Sequence, residues 1–246
     1  MFRYQICIEY LGTNFVGWQS QKNGLSIQEA LEKVLSKFLK EKIKVIGSGR
    51  TDAGVHAIEQ SAHFITKSKI IKKNIFINSI NFFLNKHPIS ILKINKKPDN
   101  FHARHSAVER TYKYSIINRP SSLVLDRNKA WHIKKKLDLK VMKIGAEILR
   151  GTHNFSTFRS SSCQAKSPTK TLRKAKIRKE KDKIILTFQS KSFLQHQVRS
   201  MVGSLKYLGE GKWNLKDFKK AFKSKKRSMC APPAPAHGLY LVKVKY

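Results

Sequence analysis

The 246-residue sequence predicts a mixed α/β (α+β) protein made of two ferredoxin-like halves, each an antiparallel sheet flanked by helices, with a cleft between them. Three observations carry this expectation. The order β-α-β-β-α-β can be read twice along the chain. The length suits one large domain or two small ones. A content of 40% hydrophobic and 27% charged residues is a globular balance, away from disorder. The halves are expected at 1–104 and 105–246, with the boundary near Pro98–Ser106.

Each element has its own reason. Arg3–Tyr10 alternates, with Tyr4, Ile6, Ile8 and Tyr10 on one side, and reads as a strand. Gly12–Gly24 is rich in turn residues. Ser26 and Glu29 have capping-box spacing, and Ile27, Ala30, Leu31, Val34, Leu35, Phe38 and Leu39 then follow a 3.6-residue period. Ile43–Ile46 reads as a short strand, Gly47–Gly54 as a glycine-rich turn, and Gln60, Ala62 and Phe64 as a further strand. Asn74 is placed to cap a helix carrying Ile77, Ile80, Phe83 and Leu84. Pro88 ends it, and Ile89–Ile94 is a strand.

The second half repeats the order. Tyr112, Tyr114 and Ile116 alternate. Asp138 caps a helix whose apolar face is Val141, Ile144, Gly145, Ile148 and Leu149. Leu172–Arg178 and Ile184–Phe188 read as a hairpin around Glu180–Lys183. Val198, Met201, Val202, Leu205 and Leu208 define another helix, Asn214 caps a short one, and Tyr240, Val242, Val244 and Tyr246 alternate in a last strand.

Fifty-one Lys and Arg face 15 Asp and Glu, a formal charge of +36. Two readings of that surplus stay open. Lys and Arg neutralise phosphates, so the partner reading is nucleic acid. The other is the Lys-rich coding of an AT-rich genome, consistent with 39 Lys against 12 Arg. The basic residues cluster at Lys166–Lys183 and Lys219–Arg227. No apolar run approaches ~18 residues, and the N-terminus has no signal-peptide pattern, so a cytoplasmic protein without a membrane span is expected. Cys7, Cys163 and Cys230 have neither metal-clasp nor disulfide-framework spacing, and the nine His have no metal spacing, so no metal site is expected. No GxxxxGK[ST], HExxH or GxSxG occurs.

The chemically suggestive segment is Gly47–Gly54. It approaches GxGxxG, but Asp52 stands where the third glycine belongs, and a carboxylate there would face a pyrophosphate. Spacing alone leaves two readings. The one it favours is an Asx turn, with Asp52 bonded to its own loop. The other is a carboxylate kept ionised beside Arg50, able to act as a nucleophile.

At this point the residues meet a family. Gly49-Arg-Thr-Asp-Ala-Gly-Val-His-Ala57 resembles the active-site motif of the tRNA pseudouridine synthase A (TruA) family. Phe101-His-Ala-Arg104 through Arg110-Thr-Tyr-Lys-Tyr114 resembles that family's FxAR…RxYxY strand. Gly151-Thr-His-Asn-Phe155 with Phe158-Arg159 resembles its GxHxFxxFR segment, and Phe193–Gly203 resembles its FLxHMVRxMVG helix. Ala231-Pro-Pro233 with Gly238–Val242 resembles its closing loop and strand. Gln197 stands where the family usually has Met, and His105 where Phe is common.

The resemblance spans nearly the whole chain and implies isomerisation of uridine to pseudouridine in the anticodon stem-loop of tRNA, at three neighbouring positions. It implies Asp52 as the nucleophile, acting at the ribose C1′ or first at the C2′ proton, with Arg50 orienting it. Tyr112 is implied as the base-stacking tyrosine, and Arg159 and Arg199 as supports for Asp52 or grips on phosphate. Read without the family, Tyr112 is equally a core aromatic and Arg199 a helix-surface charge. No cofactor is implied, because nothing is oxidised and nothing is hydrolysed. The working form implied is a homodimer with tRNA across both subunits. The competing class is a non-catalytic RNA-binding or RNA-folding protein on the same RRM-like halves.

Overall fold

The computed structural model describes residues 1–246. In chain order the elements are β1 (Phe2–Tyr10), α1 (Ile27–Leu39), β2 (Ile46–Gly47), β3 (His56–Thr66), α2 (Lys73–Leu84), β4 (Ile89–Lys97), β5 (Glu109–Asn118), β6 (Trp131–Ile133), α3 (Leu139–Ile148), β7 (Gly151–Asn154), β8 (Thr169–Glu180), β9 (Lys183–Ser190), α4 (Gln197–Gly209), α5 (Leu215–Ser224) and β10 (Leu239–Lys245). No helix is long and apolar enough to cross a membrane.

The chain divides into two compact units, Met1–Val108 with Tyr240–Tyr246, and Glu109–Leu239. The sequence reading put the whole of 105–246 in the second half. In the structure the last strand goes to the first unit, where Tyr240 and Leu241 of β10 pair in parallel with His56 and Ala57 of β3. The Tyr246 hydroxyl also bonds Ser61 Oγ at 2.8 Å and the Ala103 carbonyl at 2.9 Å. Such a return cannot be read from local alternation.

In the first unit β4, β1 and β3 form an antiparallel sheet, and β2 lies on β3 through Ile46–His63 and Gly47–Ala62. The order β4-β1-β3-β2 is the ferredoxin-like one expected from β-α-β-β-α-β. Helix α1 starts where expected, with Ser26 Oγ accepting from the Glu29 N–H at 3.1 Å, and it buries Ile27, Ala30, Leu31 and Leu35. Ile43–Val45 does not pair as a strand. Its donors are taken by α1 side chains instead: Ile43 N–H by Ser36 Oγ and Val45 N–H by Glu32 Oε1, both at 2.9 Å.

The second unit holds the antiparallel run β5-β9-β8-β7, with β6 parallel to β5. Lys181, in the left-handed region at φ 56°, turns the β8–β9 hairpin. Helix α3 packs on α4 and β8. Gly145 permits the helix contact, since a Cβ there would lie 2.5 Å from Leu208 Cδ1. Helix α4 is buried almost throughout, and α5 carries a full capping box between Asn214 and Asp217.

One core group of the first unit makes stability depend on pH. His63 is buried on β3, its Nδ1 accepts the Ala103 N–H at 3.2 Å, and it also bonds the Ile46 carbonyl. Burial first, then the nearby His102 and Arg3, push its pKa down to about 4. The folded protein therefore stays neutral at His63 while the unfolded chain takes up a proton near the ordinary pKa of ~6.5. Stability is fully present above that value and falls as pH drops toward 4, by up to about 3 kcal/mol from this group. Urea unfolding at pH 7 and pH 4.5 is expected to show a lower midpoint at the acid pH, and His63→Gln is expected to shrink the difference. An equal drop in midpoint in both proteins sinks the assignment.

Candidate active site

The loop carrying Asp52 is held on both flanks by the first unit. On its N-terminal side, Ser48 N–H donates to the Ser61 carbonyl at 2.7 Å, and Ser48 Oγ bonds Gln60 Oε1 at 2.7 Å. Buried Gln60 also donates from Nε2 to the Gly49 carbonyl at 2.9 Å. Thr51 is fixed twice: its hydroxyl bonds the Tyr10 hydroxyl at 2.8 Å, and its carbonyl accepts the Trp18 N–H at 3.0 Å. Past Asp52 the chain closes a turn, with Val55 N–H donating to the Asp52 carbonyl at 3.1 Å and Gly54 at φ 77°. His56 is fully buried, and its Nδ1 accepts the Gly12 N–H at 2.9 Å. That bond fixes the Nε2–H form of the neutral ring.

Two glycines of the segment before α1 let this happen. A Cβ on Gly12 would lie 2.0 Å from the Val55 carbonyl oxygen. A Cβ on Gly17 would lie 2.6 Å from the Thr51 carbonyl oxygen and 3.2 Å from the Asp52 carbonyl carbon, and Gly17 sits at φ 107°. The backbone of residues 12–18 is thus a wall against which 51–55 is laid. Trp18 closes it by packing on Gly47, where a Cβ would meet the indole at 2.5 Å. The result is a rigid bend with Asp52 half-buried and Arg50 exposed.

The second unit carries the other expected residues. Tyr112 lies on β5, 8% exposed, with its ring edge-on to Phe193 at 5.2 Å. Its neighbour on the same face, Tyr114, is fully buried. Its phenol donates to the Pro235 carbonyl at 2.8 Å, and burial pushes its pKa up. Arg159 follows a single 3₁₀ turn and folds back on its own loop, donating to the Cys163 carbonyl. Burial by itself raises the Cys163 thiol. The N–H groups of Ala165 and Gln195 and the Arg159 guanidinium outweigh it, leaving the thiol below its ordinary pKa. Ser160 N–H donates to the Gln195 carbonyl at 3.0 Å, tying this loop to the entry of α4. The entry is sharp: His196 sits at φ 62°, and Gln197 Oε1 accepts the Leu194 N–H at 2.8 Å.

Arg199, on α4, is gripped by the proline-rich segment 231–235. Its Nε donates to the Ala234 carbonyl at 2.8 Å, and its own carbonyl accepts the Ala234 N–H at 3.0 Å. The segment can lie this close because Gly203 has no side chain, since a Cβ there would be 2.0 Å from the Pro232 carbonyl oxygen. His237 continues the strap. Burial lowers its pKa, as does the Arg199 cation, while its bond to Ala130 opposes both.

Within the first unit the structure therefore places Asp52 and Arg50 on one loop. Within the second it places Tyr112 on a strand, Arg159 on a loop and Arg199 on a helix. The residues that hold them were read from sequence, where named at all, only as strand, turn or motif positions and not as supports of the site. These are Tyr10, Gly12, Gly17, Trp18 and Gln60 around Asp52, and Tyr114, Gly203 and Ala234 around Arg199. The glycines of the turn-rich segment 12–24 were the visible signal. No group of three or more His, Cys, Asp or Glu side chains is placed to hold a metal ion.

Comparison with known proteins shows the family. A family model described as tRNA pseudouridine synthase matches residues 6–106 and 146–246. A protein named tRNA pseudouridine synthase A from Pelagibacter ubique is 60% identical over 246 residues, covering 100% of both chains. Proteins of the same name from Parvibaculum lavamentivorans and Afipia carboxidovorans are 44% and 45% identical, again over 100% of each chain. With the family model matched over residues 6–106 and 146–246 and a relative 60% identical over the full length, the chain belongs to the tRNA pseudouridine synthase family.

Proposed function

We propose that this chain converts uridine to pseudouridine in the anticodon stem-loop of tRNA, at three neighbouring positions, with Asp52 as the nucleophile. The observation that carries the reading is the Asp52 loop itself. A half-buried carboxylate stands in a bend whose two flanks are fixed by Thr51, Gln60 and the Gly12–Trp18 wall. A nucleophile held on a rigid element loses little freedom when substrate arrives.

In the reaction the N1–C1′ bond breaks, the uracil turns, and C5 bonds to C1′. A proton leaves C5 and one is taken up at N1, so the product is an isomer. The carboxylate of Asp52 acts at the ribose while the base is detached. Taking the target base out of the stack costs a few kcal/mol, offset by stacking and phosphate contacts. The proposed stacking partner is Tyr112, whose ring is held edge-on by Phe193. Its phenol oxygen is also proposed to accept the C5 proton while handing its own hydroxyl proton on, by way of solvent, to N1. Arg50, exposed on the catalytic loop, is proposed to orient Asp52. Arg159 and Arg199 are proposed to support the carboxylate or to grip phosphate, and the bonds at Cys163 and Ala234 limit how far each can swing. The surplus of +36 suits a polyanionic substrate. We further infer a cytoplasmic homodimer, from the family resemblance.

The test is chemical mapping of pseudouridine in tRNA incubated with the purified protein. New pseudouridines confined to the end of the anticodon stem are expected. Conversion only elsewhere in the tRNA overturns the site assignment, and tight tRNA binding with no conversion returns the chain to the non-catalytic class.

A further inference from the structure

Helix α5 carries charge that nothing in the protein answers. Lys216, Lys219, Lys220 and Lys223 recur at helical spacing and are all exposed, while Phe218, Ala221 and Phe222 face the core. Their Cα atoms span about 10 Å of helix axis. The helix has a single acid, Asp217, and it is spent on the capping box, where Oδ2 accepts the Asn214 N–H at 3.0 Å. None of the four lysines belongs to any of the protein's ion pairs.

The stripe runs into a pocket of about 340 Å3 lined by His153, Asn154, Phe222, Lys223 and Lys225. Its polar groups are mostly donors. Lys223 and Lys225 bring ammonium groups. Asn154 uses its Oδ1 on the Ser156 N–H at 2.9 Å, which leaves its NH2 to donate. His153 is bonded through Nε2 to the Arg150 carbonyl at 2.8 Å and stands edge-on to Phe222 at 5.4 Å. The pocket has no carboxylate. A row of unpaired ammonium groups, running into a concave site that adds the Lys225 ammonium group and the Asn154 NH2 and holds no carboxylate, is matched to successive phosphates.

We propose that the exposed face of α5, with the His153–Lys225 pocket, is a phosphate-binding surface for an RNA backbone, and that it contributes affinity for the tRNA substrate. The inference rests on the proposed tRNA reading for the identity of the RNA. It goes beyond that reading in assigning a second contact, on the second unit, that takes no part in the chemistry.

The experiment compares two charge-matched triple variants of the full chain. One is Lys219→Gln/Lys220→Gln/Lys223→Gln on α5. The other is Lys134→Gln/Lys136→Gln/Lys140→Gln, three exposed lysines elsewhere on the same unit. Binding of a tRNA transcript is measured from ~50 to ~200 mM salt. The α5 variant is expected to weaken binding at least tenfold at the lower salt and to flatten the log–log salt slope by about two to three. The control variant is expected to leave the slope within about one of the parent. Equal losses in both variants show bulk charge only and overturn the proposal, as does an unchanged slope in the α5 variant. Lys225→Gln with Asn154→Ala, titrated with inorganic phosphate and with tRNA, separates the two sources of the ligand. A loss seen with phosphate alone makes the pocket a small-anion site and overturns the RNA assignment. If the parent protein binds tRNA through this face but forms no pseudouridine, the reaction reading fails and the surface stands.

Discussion

Asp52→Ala is expected to remove pseudouridine formation, lowering the single-turnover rate by about 10⁴-fold or more, while the Kd for tRNA stays within about tenfold. The asymmetry follows from what a single carboxylate can do. As a nucleophile it opens the only route across the barrier, and a factor of 10⁴ corresponds to about 5 kcal/mol. In binding a polyanion it contributes no attraction at all. Asp52→Asn is the closer control, since it keeps the volume and the loop while removing the charge. Rate and affinity are measured on the same transcript. Near-parent turnover in either variant sinks the assignment of Asp52, and a joint collapse of rate and affinity points to a misfolded loop instead.

Gly17→Ala is expected to come second, with turnover down by about 10²-fold and stability reduced by about 1–3 kcal/mol. The added methyl meets the Thr51 carbonyl oxygen at 2.6 Å, and the backbone sits at φ 107°, which L residues avoid. Relief requires the 51–53 backbone to move away, taking Asp52 with it. Gly211→Ala separates strain from displacement. Gly211 also has a left-handed φ, of 72°, but a Cβ there meets nothing within 4 Å. That variant is expected to lose some stability and keep its rate. A Gly17→Ala enzyme that turns over like the parent shows that the 12–18 wall does not set the position of Asp52.

The fold was legible where the hydrophobic period had one solution. In α1 the apolar residues fill one stripe, and Ile27, Ala30, Leu31 and Leu35 are buried as expected. Helix α2 is apolar nearly all round, so its period is degenerate. The face read as Ile77, Ile80, Phe83 and Leu84 is in fact Phe76, Ile80 and Leu84, with Phe83 46% exposed. Helix α2 also starts one residue before Asn74, which caps nothing. In α3 Gly145 and Leu149 are buried as expected, but Ile144 is 50% exposed and Met142 and Ala146 are buried in its place, because Gly145 lies against Leu205 and Leu208 of α4 and Met142 against Gly209. Short elements that depend on distant partners, such as β6 and β7, left no local signature.

The candidate site shows the same division. The nine residues from Gly49 to Ala57 are contiguous, so the motif could be read directly. What holds it is not contiguous. Tyr10, Gly17 and Gln60 reach the loop through backbone and hydroxyl contacts that leave no spacing rule behind. Around Arg199, the grip of Ala234 depends on Gly203, thirty-one residues earlier and on another element. A single glycine in a helix pattern is an ambiguous sign until its neighbour is known.

The parallel pairing of β10 with β3 has a consequence for how the protein is made. Residues 1–108 leave the ribosome ahead of the roughly 130 residues that separate them from their last strand. At ~5–20 residues per second, that is a wait of about 7–26 s. During translation the nascent sheet carries an unmet edge at His56 and Ala57, a surface open to wrong partners. Maturation of the Asp52 loop beside that edge is thereby tied to completion of the polypeptide, and slow elongation through the middle of the message lengthens the vulnerable interval.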